Sequence, residues 1–315
     1  MPAAGRWIGQ NWGVARARLR HAKATQAARE DGMDYWLYLT GEEDHQLIEL
    51  AQHAEMAGLR GVALADHVVV PVEFSSVHPS GEAPFDYRTS FPDPLTNAAA
   101  ILASTERLEV MTYVYILSMR EPFSVAKQAG SLSLLSGDRF RLGVGVGWLF
   151  EEVTMLGQSL RGRGRRMDEM LEIMRAFWTQ ESVEYHGEFF DFPATGMAPR
   201  PDAPVPIWVG GKSRAALARA ARHDGWLGMN YPLPEVHDLL SELAELRADV
   251  PARESDFEVF VIPNAEPSPE LHADLAARGV TGTMAFAWPD GDPAFASLAA
   301  KQKAIDAFAT AYIEA

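Results

Sequence analysis

The sequence predicts an α/β protein built as a closed (β/α)8 TIM barrel, on three observations. From Met33 onward, short β-rich apolar runs alternate with longer stretches of helical spacing. Eight such units follow one another, within the roughly 250 residues or more that eight units need. An open doubly wound sheet shares the alternation; the count of eight favours closure. Residues 1–32 differ in character, since Arg6, Arg16, Arg18, Arg20, Lys23 and Arg29 face only Glu30 and Asp31. They are read as an N-terminal extension outside the core, with residues 33–315 as the barrel domain.

The strand candidates are "MDYWLYL" (33–39), "GVALADHV" (61–68), "LEVMTYVYIL" (108–117), "RFRLGVGV" (139–146), "VPIWVGG" (205–211), "GWLGM" (225–229), "FEVFVI" (257–262) and "GTMAFAW" (282–288). Helix candidates between them carry end signals. In "DHQLIELAQHAEMAGL" Asp44 is placed to cap the start and Gly58 the stop. Pro94 suits a first turn, and Gly137 closes "EPFSVAKQAGSLSLLSG". Two segments exceed a simple connection: residues 70–93 after the second strand, and residues 179–204 after the fourth strand and its helix. Long ordered loops in compact folds are usually functional, so both are expected as lids and sources of substrate contacts, although the second reads as a β-hairpin.

The chain has 315 residues, no cysteine and a formal net charge of −15. That charge argues against attraction to nucleic acid or an anionic membrane and leaves small molecules as the expected partners. Disulfides, thiolate metal sites and a cysteine nucleophile are excluded. No apolar run approaches the roughly 20 residues of a membrane helix, and the N-terminus lacks a signal peptide's apolar centre, so a cytoplasmic protein is expected. The nine histidines show no metal-ligand spacing, and no metal is expected.

Glycines carry the first functional signal. Gly143, Gly145 and Gly147 alternate with valines in "RFRLGVGVGWLFEEV". A G-x-G-x-x-G fingerprint fails in both frames, because the last position falls on Trp148 or Phe150. "PIWVGGKS" fails as a phosphate loop, its first glycine being replaced by Pro206. At the C-terminal end of a barrel strand, however, missing side chains let backbone approach a flat ring or a phosphate; tight internal packing explains the same glycines equally well. In "VGGKSRAAL", Gly210, Gly211, Lys212 and Ser213 bring backbone N–H groups, an ammonium and a hydroxyl to a helix N-terminus, a setting for an anion. A helix capped by Ser213 beside a solvated Lys212 is the plainer alternative.

These segments together resemble the luciferase-like monooxygenase family of flavin- or deazaflavin-dependent oxidoreductases. The resemblance runs from about Met33 to about Asn230. It rests on the order of "ADHVVVP", "PDPLTNAAAILASTERLEV", "YILSMREPFSVAKQAGSLSLLSGDRFRLGVGVGWLFEEVTMLG", "RGRRMDEMLEIMRAFW" and "VPIWVGGKSRAALARAARHDGWL". It implies a bacterial luciferase-like barrel whose redox ring lies at the C-terminal strand ends. A bulge in the third strand, often with a non-proline cis peptide, would support the ring at Tyr113-Val114. Gly145, Val146, Gly147 and Trp148 would line the cofactor, and Gly210 to Ser213 would hold its phosphate. Bacterial luciferases place an arginine where this chain has Val146.

"ADH" bears on the choice of cofactor. Several deazaflavin-dependent relatives place an acidic residue and a histidine there, beside the ring's reactive carbon. His67 is thus the expected catalytic acid-base, with Asp66 orienting it and raising its proton affinity. A hydrogen-bonded structural histidine is the alternative. Thr112 is expected to hydrogen-bond the ring, and Trp148 to stack on it or wall the pocket. Arg163, Arg165 and Arg166 either meet a polyanionic coenzyme tail or, as favoured here, pair on their helix surface with Asp168 and Glu169. Glu151 and Glu152 are read as first-turn carboxylates. Coenzyme F420 is the expected cofactor, used for hydride transfer. FMN is the alternative, with a monooxygenase fed by a separate flavin reductase, and a non-catalytic flavin-binding protein is the third reading. The resemblance also makes a homodimer an expectation.

Overall fold

The computed structural model describes residues 32–39, 44–79, 81, 83–251, 256–289 and 291–314. All of the expected N-terminal extension except Gly32 lies outside the described residues. Eight parallel strands form the barrel: β1 (Asp34–Tyr38), β2 (Gly61–Leu64), β3 (Glu109–Thr112), β4 (Phe140–Gly145), β5 (Ile207–Gly210), β6 (Gly225–Tyr231), β7 (Glu258–Pro263) and β8 (Gly282–Ala285). β1 pairs with both β2 and β8, and closure is completed where Val110 and Met111 of β3 register with Phe140 and Arg141 of β4. The helices are α1 (Leu47–Met56), α2 (Pro94–Ser104), α3 (Pro122–Ser136), a short α4 (Phe150–Met155), α5 (Arg163–Thr179), α6 (Arg214–Ala221), α7 (Leu233–Ala248), α8 (Pro269–Ala277) and α9 (Leu298–Tyr312).

Strand alternation sorts the side chains. Phe140, Leu142 and Val144 of β4 point outward into the core shared with the helices, and all three are fully buried. Inward positions fill the lumen in layers. The middle layer is apolar and includes Trp36, Met111, Trp208, Leu227, Phe260 and Met284, with Trp36 and Trp208 edge to face at 5.7 Å. Below it, at the N-terminal strand ends, Arg60 pairs with Asp34, Glu109 and Glu258, and Arg141 pairs with Glu109. Above it stand Tyr38, Tyr113 and Val114, at the end where ligands are met in such barrels.

One inward glycine is fixed by close approach. A Cβ on Gly143 would lie 2.0 Å from the Thr112 carbonyl oxygen and 2.7 Å from Leu227 Cδ1. Backbone cannot swing away as a side chain can. Gly143→Ala is therefore expected to destabilise by about 1–3 kcal/mol or more, read as a lowered midpoint in thermal unfolding.

Several local expectations change. β2 ends at Leu64, because Ala65 to His67 leave the ladder for the barrel mouth, and the third strand breaks after Thr112, resuming only at Tyr115–Ile116. Asp44 opens a 3-10 turn, and the N-cap of α1 is Gln46, which makes no side-chain capping bond. Residues 183–195 do form a hairpin, but it packs outside the barrel. Phe192 meets Phe123 of α3 at 5.1 Å and Phe177 of α5 at 5.9 Å, while the Glu169 carboxylate accepts from the N–H groups of Glu188, Phe189 and Phe190. It therefore buttresses α3 and α5. Among the described residues no helix is long and apolar enough to cross a membrane.

Candidate active site at the C-terminal rim

The chain leaves β2 through Asp66 and His67, both buried at 3% and 8% exposure. Asp66 Oδ2 accepts from Ile116 N–H and from Arg120 Nη1, each at 2.7 Å, and Oδ1 accepts from Arg120 Nη2 at 2.8 Å. Burial pushes this carboxyl upward, and the Arg120 guanidinium pulls it back. Asp66 is thus a bidentate tie between the ends of β2 and β3. The expectation that it orients His67 is corrected: both its oxygens are committed elsewhere.

The group that orients His67 is Glu152, in the first turn of α4 and wholly buried. Its Oε2 lies 2.7 Å from His67 Nδ1, and its Oε1 accepts from Val68 N–H at 2.6 Å and Val69 N–H at 3.2 Å. A carboxylate in that position accepts, so Nδ1 carries its hydrogen and Nε2 is left to exchange a proton. Over the imidazole lie Phe85 at 4.9 Å, Phe91 at 4.8 Å and Trp148 at 6.0 Å between ring centroids. Trp148 also meets His78 and Phe74 edge-on, which makes it part of the wall.

Behind this group the Tyr113-Val114 peptide is cis, and Tyr113 donates its hydroxyl to Gly228 O at 2.7 Å across the barrel mouth. Burial raises that phenol well above its ordinary value. Val114 sits between β4 and β5: a Cβ on Gly145 would lie 2.7 Å from Val114 Cγ2, and one on Gly210 would lie 3.0 Å from Cγ1. These two glycines make room for the bulge, so of the two readings of the glycine strand, internal packing describes Gly145. Gly147 adopts φ +77°, and the Val146 carbonyl accepts from Ser118 Oγ at 2.7 Å. Thr112 is fully buried and donates its hydroxyl to Gly143 O at 2.7 Å, which leaves its oxygen only as an acceptor.

At the end of β5, Gly211 turns with φ +118° and Ser213 caps α6, its Oγ accepting from Ala216 N–H at 3.2 Å. Lys212 Nζ lies 2.8 Å from Glu235 Oε1 and 5.0 Å from the Tyr231 ring centroid. The hydroxyl and ammonium expected to converge on an anion thus have protein partners. The Lys212 pair is exposed enough to contribute little, so an anionic ligand can recruit it at small cost. Val114 with side-chain-free backbone on either side, and a helix N-terminus beside a lysine, suit a flat ring with a phosphate tail. Among the described residues no group of His, Asp and Glu is gathered that could hold a metal ion.

The arginine cluster does not pair with Asp168 and Glu169 as favoured above. Arg165 pairs with Glu188 of the hairpin, Arg166 donates to the carbonyls of Ser118 and Arg120, and Arg163 donates to Leu160 O. Asp168 pairs instead with Arg219 and Arg222.

Glu151 does occupy a first turn and also holds Ser75 and Ser76 of the 70–93 segment. Its Oε1 accepts from Ser75 N–H and Ser76 N–H, and its Oε2 accepts from Ser76 Oγ at 2.5 Å. Those bonds hold its carboxyl down at about 2, so the clamp is present above the ordinary carboxylate range and weakens as pH falls toward 2. Glu151→Gln is expected to speed amide hydrogen exchange at residues 70–79 at neutral pH, with the barrel strands unchanged.

Sequence reasoning missed Glu152, Arg120, Phe85 and Phe91 as site residues. Arg120 had a signal in the motif "YILSMREP"; the partners of the others are set by folding alone.

The family model of luciferase-like monooxygenases matches residues 35–265. An uncharacterized protein of Mycobacterium tuberculosis is 40% identical over 218 residues, covering 68% of this chain and 75% of that one. The F420-dependent glucose-6-phosphate dehydrogenase of Amycolatopsis mediterranei is 28% identical over 186 residues, 58% of this chain and 52% of that one. The FMNH2-dependent dimethylsulfone monooxygenase of Pseudomonas putida is 30% identical over 165 residues, 51% of this chain and 45% of that one. The crystal structure of monooxygenase RslO1 from Streptomyces bottropensis superposes with a TM-score of 0.69 at 20% identity, covering 90% of this chain and 99% of that one. By sequence and by fold, the chain belongs to the luciferase-like monooxygenase family, whose members include F420- and FMN-dependent enzymes.

Proposed function

We propose that this protein is an oxidoreductase that moves hydride between coenzyme F420 and a small organic substrate, with His67 as acid-base. The carrying observation is the His67–Glu152 pair at 2.7 Å, buried at the strand ends that ligands approach. When bound, the coenzyme supplies a ring that accepts or donates hydride and reacts poorly with oxygen. Val114 would support that ring, and the backbone at Gly211 to Ser213 with Lys212 would hold the phosphate. In the oxidative direction a secondary alcohol loses hydride from carbon and a proton from oxygen, leaving a ketone. His67 Nε2 takes that proton and passes it to solvent, Glu152 keeping the ring oriented throughout. Phe85, Phe91 and Trp148 exclude water from the reacting atoms.

A second reading, an FMN-dependent monooxygenase fed by a reductase, draws support from the 30% identity to the dimethylsulfone enzyme. The two separate under anaerobic conditions with a panel of alcohols. Loss of the F420 absorbance with alcohol present supports the proposal; turnover only with FMNH2 and oxygen overturns it.

A further inference from the structure

We propose that the substrate is uncharged and carries a hydrophobic ring, or an apolar group of ring size, next to the carbon that exchanges hydride. This rests on the proposed function for the role of His67; the substrate class itself comes from what surrounds the imidazole.

Phe85, Phe91 and His67 form a triangle with centroid separations of 4.8 to 4.9 Å, and Trp148 closes it at 5.9 Å from Phe85. Both phenylalanines come from the 70–93 segment and are only half-buried, whereas His67 beneath them is buried. A molecule that reaches the imidazole from the side of these rings packs against them. Such contacts favour flat or saturated rings, gaining through area and edge-to-face geometry.

Charge narrows the class further. Residues 70–93 carry Glu73, Glu82, Asp86 and Asp93 against a single basic residue, Arg88, so the covering segment repels anions. Arg88 is solvent-exposed and pairs with Asp86. The half-buried Arg120 is held bidentately by Asp66, and burial, with His67 nearby, lowers the proton affinity of His78. Phosphorylated or carboxylated substrates thus find no buried, uncommitted cation among these residues, and the exposed Arg88 offers only a solvated ion pair of little worth. Ammonium substrates find no buried acceptor open to them: Asp66 and Glu152 are committed to their own donors, and Glu73, Asp86 and Asp93 are solvent-exposed, where an ion pair contributes little.

The test is local and needs no turnover. Full-length protein labelled with 5-fluorotryptophan, with the Trp148 resonance assigned from Trp148→Phe, is titrated with four probes: cyclohexanone, acetone, cyclohexanecarboxylate and cyclohexylammonium. Each titration is run without cofactor and with F420 and FMN in turn. Each additional buried apolar carbon is worth about fourfold in affinity, so cyclohexanone, with three more carbons than acetone, should bind roughly 60-fold more tightly. The two charged probes should bind at least tenfold more weakly than cyclohexanone. Phe91→Ala should weaken cyclohexanone about tenfold while leaving acetone unchanged, its fold checked by circular dichroism.

Equal binding of either charged probe, equal binding of acetone, no response at Trp148, or a folded Phe91→Ala variant that binds cyclohexanone as before would each overturn the assignment. The cofactor reading fails separately, on which coenzyme binds, and leaves the ranking of the four probes intact as a result.

Discussion

His67→Asn is expected to lower kcat by about 10²- to 10⁴-fold while leaving cofactor affinity within a small factor. Asparagine retains an N–H able to reach Glu152 Oε2, so the N–H groups of Val68 and Val69 stay satisfied and the rim keeps its shape. What is lost is the ring nitrogen that exchanges the proton. The companion Glu152→Gln removes only the charge and turns an acceptor into a donor toward Nδ1, forcing the hydrogen onto Nε2. In the alcohol-oxidising direction that tautomer cannot take a proton, and kcat should fall with KM little changed. Single-turnover kinetics checks both variants. Equal rates for all three proteins would reduce His67 to a structural histidine.

Arg60→Leu has the largest effect expected on stability, about 3–5 kcal/mol. The guanidinium lies at the N-terminal end of the barrel lumen against three carboxylates, and it also covers the Trp36 ring at 5.5 Å. Without it the buried Glu109 keeps only Arg141, while Asp34 and Glu258 lose a shared partner. Burial already holds the Glu109 carboxyl above the usual carboxylate range against the pull of Arg141 and Arg60. Removing Arg60 raises it further. A carboxyl raised on folding contributes stability at pH below its unfolded value and loses it as pH climbs through the folded value. The gap between variant and parent should therefore narrow as pH is lowered from 7 toward 5, measured by denaturant unfolding at each pH. A gap independent of pH would mean that the charge layer acts only through packing.

How far the molecule could be read from its sequence depended on the range of the interactions involved. The eight strands were legible because their alternation is local, and Gly137 does end α3 in the left-handed conformation. The cis bond at Tyr113-Val114 agrees with what the family resemblance implied for that position. Tertiary partners were not legible. Asp66 meets Arg120 from 54 residues away and His67 meets Glu152 from 85 residues away, and no periodicity encodes either separation. Glu152 looked like an ordinary first-turn carboxylate because that is also what it is. The adjacent "DH" suggested a pair by proximity, yet neighbouring residues leaving a strand point in different directions, and the two side chains found different partners. Gly145 looked like space for a ligand. The space exists, but Val114 fills it, because a break in β3 needs room on the strands beside it.

The central claim is that this rim seats a deazaflavin ring with its phosphate near Gly211 to Ser213. Equilibrium titration of the purified protein with F420 and with FMN, each followed by ring fluorescence and repeated on Lys212→Ala, tests it most directly. The account predicts saturable F420 binding tighter than that of FMN and weakened several-fold in the variant. Binding of FMN alone, or F420 affinity indifferent to Lys212, would contradict it.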